Sequence, residues 1–393
     1  VGKVKIYYLA ARSQLSQLPV AGHSMSEMLP KSQTPALASL DGGNCSIRKD
    51  RSGRGNSLLF VPVISSVGKP LMPSHPARAR ELVRKGKAVR RFIKGIFYIE
   101  LLQRKDGDTQ PVAVGIDPGS KKEGFTVKSA EHTYLNIQAN AVTWVKDAVE
   151  TKRNMRRTRR ARKTPCRQNR INRKRGGIPP STKARWQWKL NIAKVLSRLF
   201  PVECFVVEDI KAKTTGKRRW DVSFSPLEVG KKWFYSELRK LGQVDTKQGF
   251  DTFGMRNQFG LKKSKSKLGN SFEAHCVDSW VLANSWVGGH TVPDNRSLIL
   301  IAPIQLHRRQ LHVLQPGKNG VRKSYGSTKS LRFKRGSLIK HKKYGVVYVG
   351  GTSKNRISLH SIQNGKRLCQ NARTEECQFL TYNAWRMGNS SAA

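Results

Sequence analysis

Acidic residues are scarce in this chain. Its 393 residues include 25 Asp and Glu against 75 Lys and Arg, a formal net charge of +50. Solubility needs nothing of that size, so the balance implies a polyanionic partner. The scarcity is sharpest from Thr151 to Val202, where no Asp or Glu occurs. Cysteines are few and scattered: Cys45, Cys166, Cys204, Cys276, Cys369 and Cys377 make no close pairs of metal-ligand spacing. That excludes a zinc module or a disulfide scaffold and favours a reduced, intracellular setting. No apolar run is long enough to span a bilayer, and the first residues lack the basic-then-apolar order of a secretory leader. Residues 1–57 hold no period for long and are rich in Ser, Gln, Pro and Gly, as expected of a disordered or upstream extension.

Regular patterns begin near Leu58. Leu59–Ser65 reads as a strand, Gly68–Pro76 as a proline-rich turn, and Ala77–Lys85 as a short helix. Ala88–Phe92 and Phe97–Leu102 return as strands. Arg78, Arg80, Arg84, Lys85, Lys87, Arg90 and Arg91 are nearly unopposed there and suit phosphate contacts. Val112–Asp117 is a buried strand that stops at a carboxylate before Pro118 and Gly119. Phe125–Lys128 and Tyr134–Ala139 complete a meander. Then comes the acid-free segment, with Arg153, Arg156, Arg157, Arg159, Arg160, Arg162, Arg167, Arg170, Arg173 and Arg175. So much like charge on one helix repels itself unless a polyanion neutralises it. An arginine-rich helix lying against a phosphate backbone is the reading, with a disordered basic linker as its bland rival. A second helix with an apolar side follows from Pro179, and Val202–Asp209 is an interior strand. Residues 229–240 suggest a helix, Gly254–Ser266 a basic stretch, and Phe272–Trp286 one core helix. Beyond Pro293 short strands alternate with glycine turns.

Three acids lie on or at the ends of these core elements: Asp117, Glu208 and Asp278. Gathered in one place they would repel one another unless cations held them together. Oxygen ligands suit two Mg²⁺ ions, with Mn²⁺ able to substitute. Such a pair stabilises the attacking and leaving oxygens in phosphodiester cleavage. His275, three positions before Asp278, is placed to act as a base or to orient the attacking water. A lone Asp at a strand end is more often a turn residue, and a lone helical His more often structural. The joint pattern and the basic load carry the case.

These residues resemble the RuvC-like nucleases of transposons in the IscB/IsrB group, relatives of the ancestors of CRISPR nucleases. Pro70-Leu71-Met72-Pro73 is similar to the N-terminal signature of that family, and Gly115-Ile116-Asp117-Pro118-Gly119 to its first RuvC motif. Thr151–Arg175 looks like the bridge helix. Val207-Glu208-Asp209-Ile210 and Glu273-Ala274-His275-Cys276-Val277-Asp278-Ser279 resemble the second and third motifs. The resemblance covers roughly 60–386. It implies an α/β, RNase H-like mixed sheet split by the bridge helix, with a small β/α module before it and a small β module after it. The implied parts are a basic module at 58–108, RuvC segments at 109–142, 179–225 and 226–292, the bridge helix at 143–178, and a C-terminal module at 293–393. It further implies that Asp117, Glu208, His275 and Asp278 form the catalytic set, the first, second and fourth holding metal.

The implied partners are a structured guide RNA and double-stranded target DNA, bound by a monomer in a ribonucleoprotein with no membrane association. Base pairing would read sequence, and the protein shape and a flanking motif. The implied location is prokaryotic cytoplasm, on the nucleoid when DNA is bound. Members with two nucleases carry an HNH domain between the second and third motifs. From Asp209 to Asn270 there is no His or Cys, so an HNH centre cannot lie there. The IsrB type, which would nick the non-target strand alone, is therefore expected. Two rivals stand beside it: a dimeric structure-selective nuclease without RNA, and a non-catalytic RNA chaperone or guided repressor.

Overall fold

The computed structural model describes residues 60–161, 177–209, 228–266, 269–304, 314–315, 320–321, 329–353, 355–362, 364–383 and 385–389. All belong to one unit of the chain, Leu58–Ala393. Val61–Ile64 (β1), Pro70–Ser74 (β2), Pro76–Arg84 (α1), Ala88–Ile93 (β3) and Ile96–Leu101 (β4) make a four-stranded sheet in the order β2-β1-β4-β3. The Pro-rich segment expected as a turn is thus the strand β2. Proline is tolerated there because β2 is an edge strand, where a missing N–H interrupts no ladder. β3 and β4 join through Lys94 and Gly95, both at positive φ, as a two-residue hairpin of this twist requires.

The central sheet starts with Val112–Asp117 (β5), Lys122–Lys128 (β6) and Thr133–Asn140 (β7), an antiparallel meander. Val145–Ala161 (α2) and Pro180–Leu199 (α3) lead to Val202–Asp209 (β8), which lies parallel to β5. Lys231–Leu238 (α4) then leads to Gln243–Gln248 (β9), parallel to β8. β9 escapes sequence reading because its residues, QVDTKQ, carry no apolar alternation; pairing with β8 makes it a strand. Gly249–Gln258 (α5) follows directly and takes in the start of the stretch read as basic, Gly254–Ser266. Its start is a capping box of Gln248 and Asp251.

Phe272–His275 (α6) and Val277–Val287 (α7) replace the single core helix expected over 272–286. The break falls at Cys276, where backbone φ is −109°. Leu298–Pro303 (β10) pairs parallel with β7. After it come two short ladders, Leu314–Gln315 (β11) with Gly320–Val321 (β12), and Lys329–Ser330 (β13) with Phe333–Lys334 (β14). Ser337–His341 (β15), Gly345–Ser353 (β16), Arg356–His360 (β17), Arg367–Ala372 (β18) and Cys377–Tyr382 (β19) form an open sheet in the order β18-β17-β16-β15-β19. Trp385–Asn389 (β20) returns to pair with β10. The segment read as a C-terminal module therefore contributes two strands to the central sheet, whose order is β20-β10-β7-β6-β5-β8-β9.

Five strands of that sheet, β7-β6-β5-β8-β9 with β6 reversed, have the RNase H-like topology. Period-two alternation assigns the faces. Val114, Ile116 and Val207 join the cluster with Trp186, Leu190 and Leu196 of α3, while Cys204 and Val206 pack with Leu282 of α7. Among the described residues no helix is long and apolar enough to cross a membrane.

Candidate active site

Asp117 ends β5, and the register Ile116↔Val207 sets Glu208 of β8 beside it. Adjacent strands lie about 4.8 Å apart, so two carboxylates meet at the carboxyl ends of neighbouring parallel strands. Period two aims Asp117 toward the same face as Gly115, the face covered by α7. Gly115 makes that cover close. A Cβ on Gly115 would stand 1.8 Å from the Ser279 carbonyl oxygen, and one on Gly124 would stand 1.9 Å from that of His275. With hydrogen at both positions, α6 and α7 settle directly on the backbone. The contact is fixed by Thr126, whose hydroxyl is 2.9 Å from Ser279 Oγ and donates to Asn136 Oδ1 at 3.0 Å. Asp278, in the first turn of α7, is thereby lowered onto the two strand-end acids.

The electrostatics record this convergence. Burial raises the Glu208 carboxyl to about 8, with repulsion from Asp117 and Asp278 adding to it. Burial also raises Asp117, opposed by Lys263 and reinforced by Asp278. A side-chain hydrogen bond joins Asp117 and Glu208, the protonated Glu208 donating. Two cations answer the remaining charge. Arg256 Nη1 of α5 donates to Asp278 Oδ1 at 2.5 Å, and Lys263 donates to Asp278 Oδ2 and lies 3.8 Å from Asp117 Oδ2. Burial disfavours the Lys263 charge, but Asp117 and Asp278 outweigh it and hold the ammonium above its usual range.

Among the described residues no three His, Cys, Asp or Glu side chains stand at metal-holding spacing. The acids close instead on the Lys263 ammonium. Their all-oxygen donor set and their unrelieved mutual repulsion nevertheless match the chemistry of a hard divalent cation.

Asp209, next in sequence, points to the opposite face and is fully engaged. It accepts from Tyr235 Oη at 2.9 Å, Gln248 Nε2 at 3.2 Å and Lys231 Nζ at 2.9 Å. Burial works against its charge, but these donors keep the carboxyl below its usual range. His275 ends α6, separated from Asp278 by the Cys276 break rather than placed on one continuous helix with it.

Lys263 and Arg256 are the site residues that sequence reasoning passed over as general basic charge. Glu123 and Lys189 are two more. They form a fully buried pair at 2.7 Å, and Lys189 adds a favourable charge for Asp117. The visible signal was a lysine on the apolar side of α3, one turn from Trp186 and Ala193.

The cationic candidates lie elsewhere. Arg78, Arg80 and Arg84 are exposed on α1, and Arg78 pairs with Glu81 at 2.9 Å. Arg153, Arg156 and Arg157 are exposed on α2, whose backbone also carries Arg159 and Arg160. Arg162, Arg167, Arg170, Arg173 and Arg175 fall outside the described residues. Phe250 and Phe253 stand 74% and 55% exposed on α5, the helix that starts beside Glu208.

No curated protein sequence matches this chain. Two solved structures resemble it at low sequence identity. RuvC of T. thermophilus in complex with a Holliday junction substrate is 14% identical, over 46% of this chain and 97% of that one, with a TM-score of 0.24. The yeast mitochondrial Holliday junction resolvase is 13% identical, over 46% of this chain and 80% of that one, with a TM-score of 0.25. Residues 61–219, from β1 to just beyond β8, match the family model described as RRXRR protein, and the matched span contains the string Arg156-Arg157-Thr158-Arg159-Arg160.

Proposed function

We propose that this chain is a divalent-metal-dependent DNA endonuclease, directed by a guide RNA, that nicks the non-target strand. The observation that carries the reading is the gathering of Asp117, Glu208 and Asp278 around Lys263 at the carboxyl ends of two neighbouring interior strands, in a chain of net charge +50. Asp117, Glu208 and Asp278 would hold the magnesium, or manganese in its place. When bound, the metal supplies charge neutralisation at the scissile phosphate and an acidified water.

The chain's own residues do the rest. α5 and the loop after it bring Arg256 and Lys263 to the acids, where both can exchange a carboxylate for a phosphate oxygen. His275 stands close in sequence to Asp278 and would orient the attacking water or take its proton. The exposed rings of Phe250 and Phe253 offer stacking faces to bases of the strand being cut. α2 presents Arg153, Arg156 and Arg157 on a helix about 25 Å long, which would follow an RNA backbone. Base pairing by the guide would then select the sequence.

The test is plasmid nicking by protein purified with its co-expressed RNA, in magnesium. We expect a nick confined to one strand, abolished by Asp117→Ala, with RNA still copurifying. Undiminished cleavage by that variant would exclude the proposed centre. Cleavage that needs no RNA would remove the guide and leave a structure-selective nuclease.

A further inference from the structure

Away from the acids, which do not line it, a cleft opens where two sheet edges face each other. β3 is the free edge of the four-stranded sheet and β19 the free edge of the five-stranded one. Between them runs a cleft of about 420 Å³, lined among others by Arg90, Arg91, Phe92, Gln378, Phe379 and Tyr382. The turn that follows β3 packs closely against the segment that follows β19. Its Gly95 sits so tightly that a Cβ would come 2.6 Å from Met387 Sδ and 3.3 Å from Asn383 Nδ2.

Two properties of the lining call for explanation. It exposes aromatic rings that a folded chain ordinarily buries: Phe92 at 37%, Phe379 at 42% and Tyr382 at 45%. Phe379 and Tyr382 lie with ring centroids 4.6 Å apart, and each keeps open surface. The lining also includes no acid. Arg91 spends its charge on Glu100 at 2.8 Å, but among the described residues Arg90 has no carboxylate within ion-pair reach. Lys334 Nζ sits 4.7 Å over the Tyr382 ring. Burial, and then the neighbouring Lys334 ammonium, pull Lys94 below its usual range, so two cations crowd together beside the cleft. Rings with open faces among uncompensated cations suit a flexible polyanion that carries flat apolar groups. Duplex nucleic acid offers the charge but hides its base faces.

We propose that the β3–β19 cleft binds a single-stranded stretch of nucleic acid, stacking one or two unpaired bases on Phe379 and Tyr382 while Arg90 and Lys334 hold the flanking phosphates. The proposal rests on the nucleic-acid reading of this chain, not on the acids being able to cut. Either ribose or deoxyribose strands share the needed chemistry.

The test uses the full chain without divalent cation, so that no strand is cut. Binding is measured to ten-nucleotide oligopyrimidines in ribose and deoxyribose form, to an abasic strand of equal length, and to a duplex. The intact chain should prefer base-bearing strands to the abasic one. Phe379→Ala with Tyr382→Ala should reduce that preference roughly ten-fold or more and leave abasic binding unchanged. Phe379→Trp with Tyr382→Phe should keep it. A thiouridine-bearing strand should crosslink to the Cys377–Tyr382 peptide. The tighter of the two sugar forms identifies the source, guide or target. Equal binding of abasic and base-bearing strands, a preference untouched by the double alanine change, or crosslinks only elsewhere would each overturn the proposal.

Discussion

Glu208 shows what convergence costs at the scale of one residue. Its carboxyl titrates near 4.5 in an unfolded chain, and burial followed by repulsion from Asp117 and Asp278 raises it to about 8 in the fold. Between those values the folded state binds more protons than the unfolded one. Linkage then makes stability fall as pH rises through that window, the contribution being present in full below about 4.5. For metal-free protein we therefore expect a higher unfolding midpoint at pH 5 than at pH 8, and a flatter dependence in Glu208→Gln. Parallel pH profiles for the two proteins would show that the acids do not repel as described. Added magnesium should recover most of the loss at pH 8, because a bound cation removes its cause. Asp209 makes the contrast. Only one position along β8, it faces the other way into Tyr235, Gln248 and Lys231, and its carboxyl shifts down instead of up.

Among the elements, α7 decides whether there is a site at all. Asp278 reaches the strand acids only because Gly115 and Gly124 let the α6–α7 pair lie on bare backbone. Gly115→Ala forces a methyl group to within 1.8 Å of the Ser279 carbonyl, which the helix can relieve only by lifting. We expect about 3 kcal/mol of lost stability from such overpacking, together with weaker stabilisation by magnesium. Loss of stability with the magnesium response intact would mean that Asp278 keeps its place without close packing.

Much of this element-scale arrangement was legible beforehand. An apolar run that ends abruptly in a carboxylate marks β5 and β8, and a glycine inside such a run marks close approach of another backbone. Which backbone approaches is not written locally, and neither is the partner of a surface-type cation. Lys263 and Arg256 looked like two charges among many because only the tertiary fold brings α5 and its following loop to Asp278. The strand β9 and the break at Cys276 were hidden for a related reason. The first is made by its neighbour's free edge, and the second lies inside a pattern whose apolar residues fit a continuous helix.

For the whole molecule the governing quantity is charge. At +50 the free chain repels itself: 25 acids cannot balance 75 cations, and several of them are already committed to the site or to buried pairs. α2 is the extreme case: Arg153, Arg156 and Arg157 are exposed, and among its described side chains only Val145 and Met155 are partly covered. A helix of that kind draws little stability from packing and gains when phosphates replace water around it. Salt should therefore act in opposite directions on the two states of the protein. Raising NaCl from about 50 to about 300 mM shortens the reach of like-charge repulsion and should raise the unfolding midpoint of the free chain. The same change weakens phosphate contacts through counterion release and should lower the midpoint of the RNA-loaded chain, so that the two curves approach each other. Thermal unfolding of both forms across that range is the check. A free-chain midpoint that stayed flat or fell would mean that the positive charge is not self-repelling in the fold, and the polyanion would then be a ligand of particular sites instead of a structural counterpart to the whole surface.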